Sequence, residues 1–554
     1  MSDPTRTTST TNAGSTTVAE DGSPWDAVII GAGVSGIYQL HRLLGLGLRV
    51  VVLEEGDDAG GTWYWNRYPG ARFDSESYSY QYSWCPDVLA EWNWSEHFAA
   101  QPETLRYLHH VVERYDLRRH MRFGMRVADA TWDDDGAYWT VRTASGDEVR
   151  GRFVVCALGV LSVPTLPRFE GMDFFAGPSF HTARWPHEPL DLTGLRVGVV
   201  GTGASGVQVM QEVAKVAGQL TVFQRRPNWC APLHNSRIAD DEQDAVKAGY
   251  DEVFARCARS GMGFIHQFDR RATLEVPEDE RLAFWEARYA EPGFGIWLGN
   301  FKDVLSDPAA NAEITAFIAA KIRSRVHDPA TAEKLTPTDH GFGTRRVPLE
   351  SGYYEVYNRD NVTLVDLGTD PVVRVTPAGI ETASGHHDLD VLVYATGFNA
   401  ITGALDRIVF RGRDGRTLRD AWADGPETFL GMAAPGFPNL LIVVGPHGGS
   451  TSSNLPRGIE HNVEFVTDLV GEAVERGCRT IEADPDAAAA WTAHCIETSQ
   501  GMLMTTVRSW FMGINTNVDG LDKPRYLLYN GGLPAFRRRC EEVAASGYGG
   551  FVLR

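Results

Sequence analysis

Two glycine-rich segments have the spacing of loops that bind nucleotide phosphates. The first, AVIIGAGVSG at residues 27–36, joins a short apolar run, the pattern Gly-x-Gly-x-x-Gly and the start of a helical pattern. Glycines at these positions let the backbone turn tightly and approach a pyrophosphate, which then lies at the positive end of the helix. The segment therefore predicts a dinucleotide site that includes Gly31, Gly33 and Gly36.

The residue after the next strand indicates which dinucleotide each unit binds. In the first unit an apolar run at 48–53 is followed by Glu54. A carboxylate in this place accepts hydrogen bonds from both hydroxyls of an adenosine ribose. The first unit is therefore expected to bind a dinucleotide with an unmodified ribose, as in FAD.

The second unit, VGVVGTGASG at residues 197–206, ends in two basic residues. Its next strand, at 220–223, is followed by Gln224 and then by Arg225 and Arg226. Guanidinium groups match the 2′-phosphate of NADP, which a carboxylate would repel. We expect NADPH at this unit; two solvated arginines at a strand end are the alternative. The loop residues assigned to the cofactor are Thr202, Gly203, Ser205 and Gly206.

Two such loops require two Rossmann-like α/β domains, one for FAD and one for NADP. The segment 235–338 has apolar residues at helical spacing and predicts a helical insertion in the NADP domain. Within it, Asp307 and Pro308 form a favourable helix start. The predicted domains are residues 24–160 with 395–554 for FAD, and residues 165–230 with 340–390 for NADP.

Composition argues against several classes of partner. The 554-residue chain has a formal net charge of −20, which favours neither nucleic acid nor an anionic membrane surface. It has no apolar run of ~18 residues, the length that a membrane span needs. Residues 1–23 are rich in Ser and Thr and predict a disordered tail without a signal peptide. Seven scattered cysteines without a CxxC pair predict no disulfide framework, no metal site and a cytoplasmic protein.

The connector between the two units carries a longer pattern. FAGPSFHTARWP, residues 175–186, resembles the fingerprint of type I Baeyer–Villiger monooxygenases, which are class B flavoprotein monooxygenases. The related flavin monooxygenases that oxidise nitrogen or sulfur typically carry another aromatic residue in place of its Trp. GGTWYWNRYPGARFD, residues 60–74, resembles a second signature of the same family. The fingerprint residues are Phe175, Gly177, His181 and Trp185.

The resemblance implies oxidation of a ketone to an ester or lactone with NADPH and O2. In this family the reduced FAD adds O2, and the C4a-peroxyflavin attacks the ketone carbonyl. An N- or S-oxygenating flavin monooxygenase is the nearest alternative, and a dinucleotide-binding sensor is the non-enzymatic one.

The resemblance also implies roles for particular residues. Arg346 aligns with the catalytic arginine and Asp74 with its carboxylate partner, whereas Arg345 stands where relatives usually carry Lys near the NADP phosphate. Trp510 aligns with the tryptophan of a mobile loop, residues 509–525, that closes over NADP and substrate. The other residues expected at the cofactors are Thr62, Trp63 and Tyr80, and Asp74 is also expected to contact a cofactor.

Two further expectations concern the linker and the substrate pocket. His181 and Trp185 resemble linker residues that couple domain motion to the catalytic cycle, and a satisfied linker histidine is the alternative. GPHGGSTSSN, residues 445–454, lies where relatives line the substrate pocket. Its small side chains are expected to leave room for a bulky ketone.

Overall fold

A computed structural model describes residues 23–554; the predicted disordered tail, residues 1–23, lies outside them except for Ser23. The strands are β1 (Trp25–Ile30), β2 (Val50–Leu53), β3 (Met121–Arg122), β4 (Val127–Asp133), β5 (Tyr138–Thr143), β6 (Glu148–Cys156), β7 (Ser179–His181), β8 (Arg196–Val200), β9 (Gln219–Gln224), β10 (Ala231–Pro232), β11 (Leu349–Glu350), β12 (Val362–Asp366), β13 (Val372–Thr376), β14 (Gly379–Thr382), β15 (Gly385–Asp388), β16 (Val391–Tyr394), β17 (Val409–Arg411), β18 (Leu440–Ile442), β19 (Ile481–Ala483) and β20 (Phe551–Leu553). The α-helices are α1 (Val34–Gly45), α2 (Thr62–Trp65), α3 (Ser77–Tyr80), α4 (Pro86–Glu91), α5 (Gln101–Arg114), α6 (Ala204–Val216), α7 (Asp240–Ala248), α8 (Tyr250–Arg259), α9 (Glu278–Ala290), α10 (Gly295–Leu298), α11 (Pro308–Arg325), α12 (Pro329–Leu335), α13 (Gly403–Asp406), α14 (Leu418–Ala421), α15 (Leu455–Glu475), α16 (Pro485–Ser499) and α17 (Leu533–Ala545).

The first sheet carries the first glycine loop. Its strands follow the order β17–β4–β5–β6–β1–β2–β3, and β18 also pairs with β6. Strand β1 is parallel to β2 and to β6. Alternate residues of β1 enter two different hydrophobic cores, one on each face of the sheet. This burial on both faces explains why β1 reads as a continuous apolar run.

The second sheet carries the second glycine loop. Its five strands are all parallel, in the order β12–β9–β8–β16–β7. Strand β16 belongs to this sheet, whereas β17 and β18 belong to the first. The chain therefore enters the second sheet after β6 and returns to the first sheet after β16, whereas the exact domain boundaries stay a prediction.

The segment between β10 and β11 is mainly helical and contains α7 to α12. Asp307 caps α11, because its carboxylate accepts hydrogen bonds from the amides of Ala309 and Ala310 at 2.8 and 2.9 Å. The apolar residues at helical spacing between positions 246 and 257 belong to two helices, α7 and α8, which are separated by Gly249. Many buried residues of the segment join the same core as the second sheet.

One strand start differs from its prediction. Strand β2 begins at Val50, not at Leu48, because the Leu48 amide donates to the Leu43 carbonyl at 3.4 Å and so completes the end of α1. Within residues 23–554, no helix combines the length and the apolar character that a bilayer crossing requires.

Candidate active site

Asp74 and Arg346 form an ion pair between the two halves of the molecule. Arg346 Nη1 lies 2.8 Å from Asp74 Oδ2. The Asp74 side chain is only 3% exposed, whereas that of Arg346 is 34% exposed. The carboxylate also accepts longer hydrogen bonds, both at 3.4 Å, from the Leu349 amide and the Gln208 side chain. The pair therefore presents a fixed guanidinium to an accessible region.

Gln208, on α6 of the second domain, positions the segment that contains Asp74. Its amide nitrogen donates to the Arg72 carbonyl at 3.0 Å, and its oxygen accepts from the Tyr68 hydroxyl at 2.8 Å. Burial raises the pKa of Tyr68 to about 12, so that its hydroxyl remains a donor. The role of Gln208 was not predicted from the sequence. The one feature that could have indicated it is a polar side chain among the buried apolar positions of α6.

The first glycine loop is closely packed and is fastened by Glu54. Its carboxylate accepts hydrogen bonds from the Ala32 amide at 2.7 Å and the Gly56 amide at 2.8 Å. Burial raises the pKa of Glu54 above its ordinary value. A Cβ on Gly33 would lie 3.3 Å from the Cα of Gly61, so backbone faces backbone here. These features fit a dinucleotide whose phosphates approach the main chain.

The signature residues form an aromatic cluster beside Asp74. The Trp63 indole donates to the Tyr80 hydroxyl at 3.1 Å, and the Tyr80 ring stacks on Phe73 with centroids 4.4 Å apart. Burial raises the pKa of Tyr80 to about 12. Thr62 begins α2 next to Gly61 and is exposed. The structure therefore places Trp63 and Tyr80 against Phe73, the residue before Asp74, and Thr62 on the same short helix as Trp63.

The second loop lies beside three guanidinium groups and one carboxylate. Asp339 Oδ2 lies 3.1 Å from Arg345 Nη2 and 3.9 Å from Arg226 Nη1. Burial, together with the charges of Arg226 and Arg345, lowers the pKa of Arg225. A Cβ on Gly203 would meet no atom within 4 Å, so the loop faces open space. The excess of positive charge beside this open loop fits a phosphorylated ribose.

Two other predicted residues of the second loop have contacts within the protein. The Thr202 hydroxyl donates to the Arg226 carbonyl at 3.0 Å and so ties the loop to the end of β9. Ser205 lies near the Tyr68 hydroxyl and lowers its pKa, against the larger effect of burial, which raises it. Gly206 allows close packing, because a Cβ there would lie 2.2 Å from the Gly201 carbonyl oxygen.

The fingerprint residues lie along the edge of the second sheet. His181 ends β7, and its Nδ1 accepts a hydrogen bond from the Ala183 amide at 3.0 Å. Burial lowers the pKa of His181 to about 4, so the ring is neutral at neutral pH. Trp185 is buried and meets Phe180 edge to face, with centroids 4.7 Å apart. These contacts are structural and do not identify His181 as a proton donor.

The other two fingerprint residues also have packing roles. Phe175 packs against the core on the outer face of the second sheet. A Cβ on Gly177 would lie 2.3 Å from the Asp390 carbonyl oxygen, so only glycine fits at this crossing. The fingerprint thus fixes the connector against the sheet edge.

The predicted loop 509–525 contacts both the arginine cluster and the segment that follows β16. Arg225 Nη1 donates to the Thr516 hydroxyl at 3.0 Å. The Asn515 side chain donates to the Phe398 carbonyl at 2.8 Å, and the ring of Phe398 lies 5.5 Å from that of His181. Trp510 is partly buried against Phe511, with ring centroids 4.5 Å apart. The residues that contact the cluster and the segment after β16 are therefore Asn515, Thr516 and Asn517, not Trp510.

The glycine-rich segment 445–454 does not leave the open space expected of it. A Cβ on Gly445 would lie 2.2 Å from the Gly431 carbonyl oxygen, and one on Gly449 would lie 2.5 Å from the Phe536 ring. The expectation of a roomy pocket was wrong at these two positions, because their small size serves close packing with neighbouring segments.

Comparison with known proteins identifies the family. A family model for flavin-binding monooxygenase-like proteins matches residues 26–243. The chain is 45% identical over 534 residues to the 2-oxo-Delta(3)-4,5,5-trimethylcyclopentenylacetyl-CoA monooxygenase of Pseudomonas putida, covering 95% of this chain and 98% of that protein. It is 40% identical over 531 residues to the acetone monooxygenase (methyl acetate-forming) of Gordonia sp. (strain TY-5), covering 95% and 99%. The chain belongs to the type I Baeyer–Villiger monooxygenases.

Solved structures agree with this family. OTEMO, in a crystal structure with FAD and NADP, is 44% identical with a TM-score of 0.92, and the match covers 96% of this chain and 99% of that one. The predicted Baeyer–Villiger family, the two Rossmann-like domains and the two cofactors are thereby confirmed. This Baeyer–Villiger monooxygenase is an FAD- and NADPH-dependent enzyme that oxidises a ketone to an ester or lactone with O2.

One relative carries a different activity in its name. The phenazine N-monooxygenase PhzNO1 of Lysobacter antibioticus is 40% identical over 541 residues and covers 97% of this chain and 98% of that protein. The assignment of individual site residues stays a prediction.

Proposed function

We propose that the ketone reacts beside the Arg346 guanidinium, which Asp74 holds in place. The observation that carries this proposal is the 2.8 Å ion pair between a buried carboxylate and a partly exposed guanidinium. FAD, when bound, supplies the oxygen chemistry that protein side chains lack. The protein contributes the position of the ketone and a preorganised charge.

Arg346 suits the stabilisation of negative charge on oxygen. A guanidinium has a pKa above ~12 and therefore remains protonated while anionic oxygen forms next to it. Asp74 fixes its orientation, so no reorganisation is needed at the moment of reaction. Phe294 lies 5.9 Å from the guanidinium carbon and limits the region that Arg346 faces.

The two cofactors are proposed to bind at the two glycine loops. Glu54 would accept hydrogen bonds from the FAD ribose with the lone pairs that Ala32 and Gly56 leave free. The 2′-phosphate of NADPH would lie among Arg225, Arg226 and Arg345, where positive charge exceeds negative. The other proposed cofactor contacts are Gly31, Gly33, Gly36, Thr62, Trp63, Asp74, Tyr80, Thr202, Gly203, Ser205, Gly206 and Trp510.

The proposed substrate is a ketone. Acetone, named for one relative, and a trimethylcyclopentenylacetyl-CoA ketone, named for another, span a wide range of size at 40–45% identity. Oxidation of a ring nitrogen is the second candidate, because the phenazine N-monooxygenase is 40% identical to this chain, the same identity as the acetone monooxygenase. Trp185 in the fingerprint favours the ketone.

Product identification tests this proposal. The FAD-loaded enzyme would be incubated with NADPH, labelled ¹⁸O2 and a series comprising acetone, cyclopentanone, cyclohexanone, a bulky ketone and phenazine. We expect an ester or lactone that contains one labelled oxygen, and no N-oxide above the enzyme-free control. An N-oxide formed while every ketone is recovered unchanged would contradict the proposal.

We also propose a cytoplasmic location. All seven cysteines are free in the structure, and six of them are buried. Buried thiols without a disulfide framework are typical of proteins from a reducing compartment. Cell fractionation with a tagged full-length chain would test the assignment, and recovery in a secreted fraction would contradict it.

A further inference from the structure

A carboxylate lies inside the arginine cluster of the second nucleotide site. One oxygen of Asp339 is shared by two guanidinium groups, at 3.1 Å from Arg345 and 3.9 Å from Arg226. The third guanidinium, of Arg225, donates to Thr516. Asp339 is 41% exposed, so it borders the space that a phosphate would enter.

The neighbouring residue prevents this carboxylate from moving away. The second oxygen of Asp339 lies 2.6 Å from Nδ1 of His340, whose ring is fully buried. The His340 carbonyl in turn accepts from the Trp229 indole at 2.9 Å, and Trp229 is buried. His340 therefore holds Oδ1 of Asp339 from inside the protein, while Oδ2 of Asp339 faces the arginines.

The carboxylate is ionised at neutral pH. Burial alone would raise the pKa of Asp339, but the hydrogen bond from His340 and the charge of Arg345 outweigh burial and lower it. Its charge neutralises part of a cluster whose members repel one another, since Arg226 and Arg345 both lower the pKa of Arg225. The same charge would repel a phosphate that approaches the same two guanidinium groups.

We propose that Asp339 determines cofactor specificity by competing with the 2′-phosphate of NADP(H) for Arg226 and Arg345. It weakens binding of the phosphorylated cofactor and leaves binding of the unphosphorylated one nearly unchanged. This inference rests on the proposed 2′-phosphate site. Its consequence is that the arginines exchange one anion for another, so that NADP⁺ is released more easily than from an unopposed cluster.

Asp339→Asn tests the charge while preserving the shape. The side-chain oxygen of the introduced asparagine can still accept a hydrogen bond from Arg345. Its NH2 group can donate to Nδ1 of His340 when the imidazole proton is on Nε2. Removing a charge at this range from a phosphate is expected to change the dissociation constant about five- to tenfold. Replacement by alanine would confound loss of charge with loss of the contacts that orient the arginines.

Binding of cofactor fragments isolates the 2′-phosphate without turnover. Isothermal titration of the FAD-loaded enzyme would compare adenosine 2′,5′-bisphosphate with 5′-AMP at two salt concentrations. We expect Asp339→Asn to bind the bisphosphate about five- to tenfold more tightly, with a steeper salt dependence, and 5′-AMP within about twofold of the unaltered enzyme. The matched control is Glu381→Gln, which removes a carboxylate paired with Arg374 at 2.7 Å in the same domain.

The outcomes separate this inference from the proposed site. If Arg226→Ala weakens the bisphosphate and Asp339→Asn weakens it too, Asp339 orients the arginines and the inference is overturned while the site stands. If neither Arg225→Ala nor Arg226→Ala affects the bisphosphate, the proposed 2′-phosphate site itself is wrong. FAD content and thermal unfolding of each variant verify that it is folded.

Discussion

At the scale of single residues, the reaction depends on one fixed positive charge. Asp74 is buried and held by two domains, so it can fix Arg346 without being reached by solvent. We predict that Arg346→Ala lowers ester formation by about 10²–10³, because a preorganised donor to developing negative charge is lost. FAD binding should persist, and NADPH oxidation should yield hydrogen peroxide in place of ester.

The measurement is anaerobic reduction with NADPH, followed by mixing with O2 and ketone and analysis of both products. Arg359→Ala is the control, since Arg359 is an exposed arginine in the same stretch of chain. Asp74→Asn is expected to slow ester formation less than Arg346→Ala, because it loosens the guanidinium without removing it. Ester formation at the normal rate in Arg346→Ala would show that the required cation lies elsewhere.

Glu54 supports a second prediction at the residue scale. Its carboxylate accepts from two backbone amides, and glutamine would place an NH2 against one of these donors. We predict that Glu54→Gln weakens FAD binding about tenfold, which corresponds to the loss of one hydrogen bond to a charged group. Titration of the flavin-free protein with FAD measures the change.

The neighbouring residue provides the control for this prediction. Glu55 is exposed, and Glu55→Gln removes the same charge one position away. Equal FAD affinity in both variants would mean that Glu54 does not contact the cofactor.

At the scale of elements, the loop 509–525 joins the second nucleotide site to the connector. Asn515 contacts Phe398, in the segment that follows β16, and Thr516 contacts Arg225, so the loop can respond to occupation of that site. Trp510 lies at its start and is only partly buried. We predict that Trp510→Ala reduces ketone turnover at least severalfold, or shifts the preferred ketone, while FAD content stays normal.

Steady-state kinetics with several ketones, together with the flavin absorbance per protein, tests this prediction. Phe268→Ala removes another partly exposed aromatic ring, from the helical insertion, and serves as the control. If kinetics with every ketone match the unaltered enzyme, Trp510 has no part in the site.

At the scale of the whole molecule, buried histidines make folding sensitive to acid. Burial lowers the pKa of His181 to about 4 from an ordinary value of 6.5. The unfolded chain therefore takes up a proton between these values that the folded chain does not. The stability that neutral His181 contributes is complete above pH 6.5 and is lost as the pH falls toward 4, a change of about 3 kcal/mol.

Thermal unfolding of the FAD-loaded enzyme between pH 7.5 and pH 5 measures this effect. We predict that His181→Asn shows a smaller decrease in Tm on acidification than the unaltered enzyme. His461, whose pKa burial also lowers to about 4, should account for part of the remainder. His386→Asn, at an exposed position, is the control, and an equal acid dependence in His181→Asn and the unaltered enzyme would refute the assignment.

Much of the molecule was predictable because its signals are local. Both strand–glycine loop–helix units follow from residues close in sequence, as do the cap of α11 at Asp307 and the end of β2 at Leu53. Glu54 could be assigned because the acid directly follows its strand. Arg346 and Asp74 were reached only through the family resemblance, since nothing in their own neighbourhoods distinguishes them from other charged residues.

The tertiary structure decided everything that depends on contacts between distant segments. Residues 74 and 346 meet only when the first signature docks on α6, and Gln208 has a role only in that docked state. The glycines at 445 and 449 are indistinguishable in sequence from those of an open pocket, yet neighbouring backbone and Phe536 leave them no free space. Asp339 could be recognised as a rival to phosphate only when the fold placed it between two arginines. Local chemistry determined the cofactors and long-range packing determined the site, because charge and shape at one residue are set by neighbours that the sequence separates.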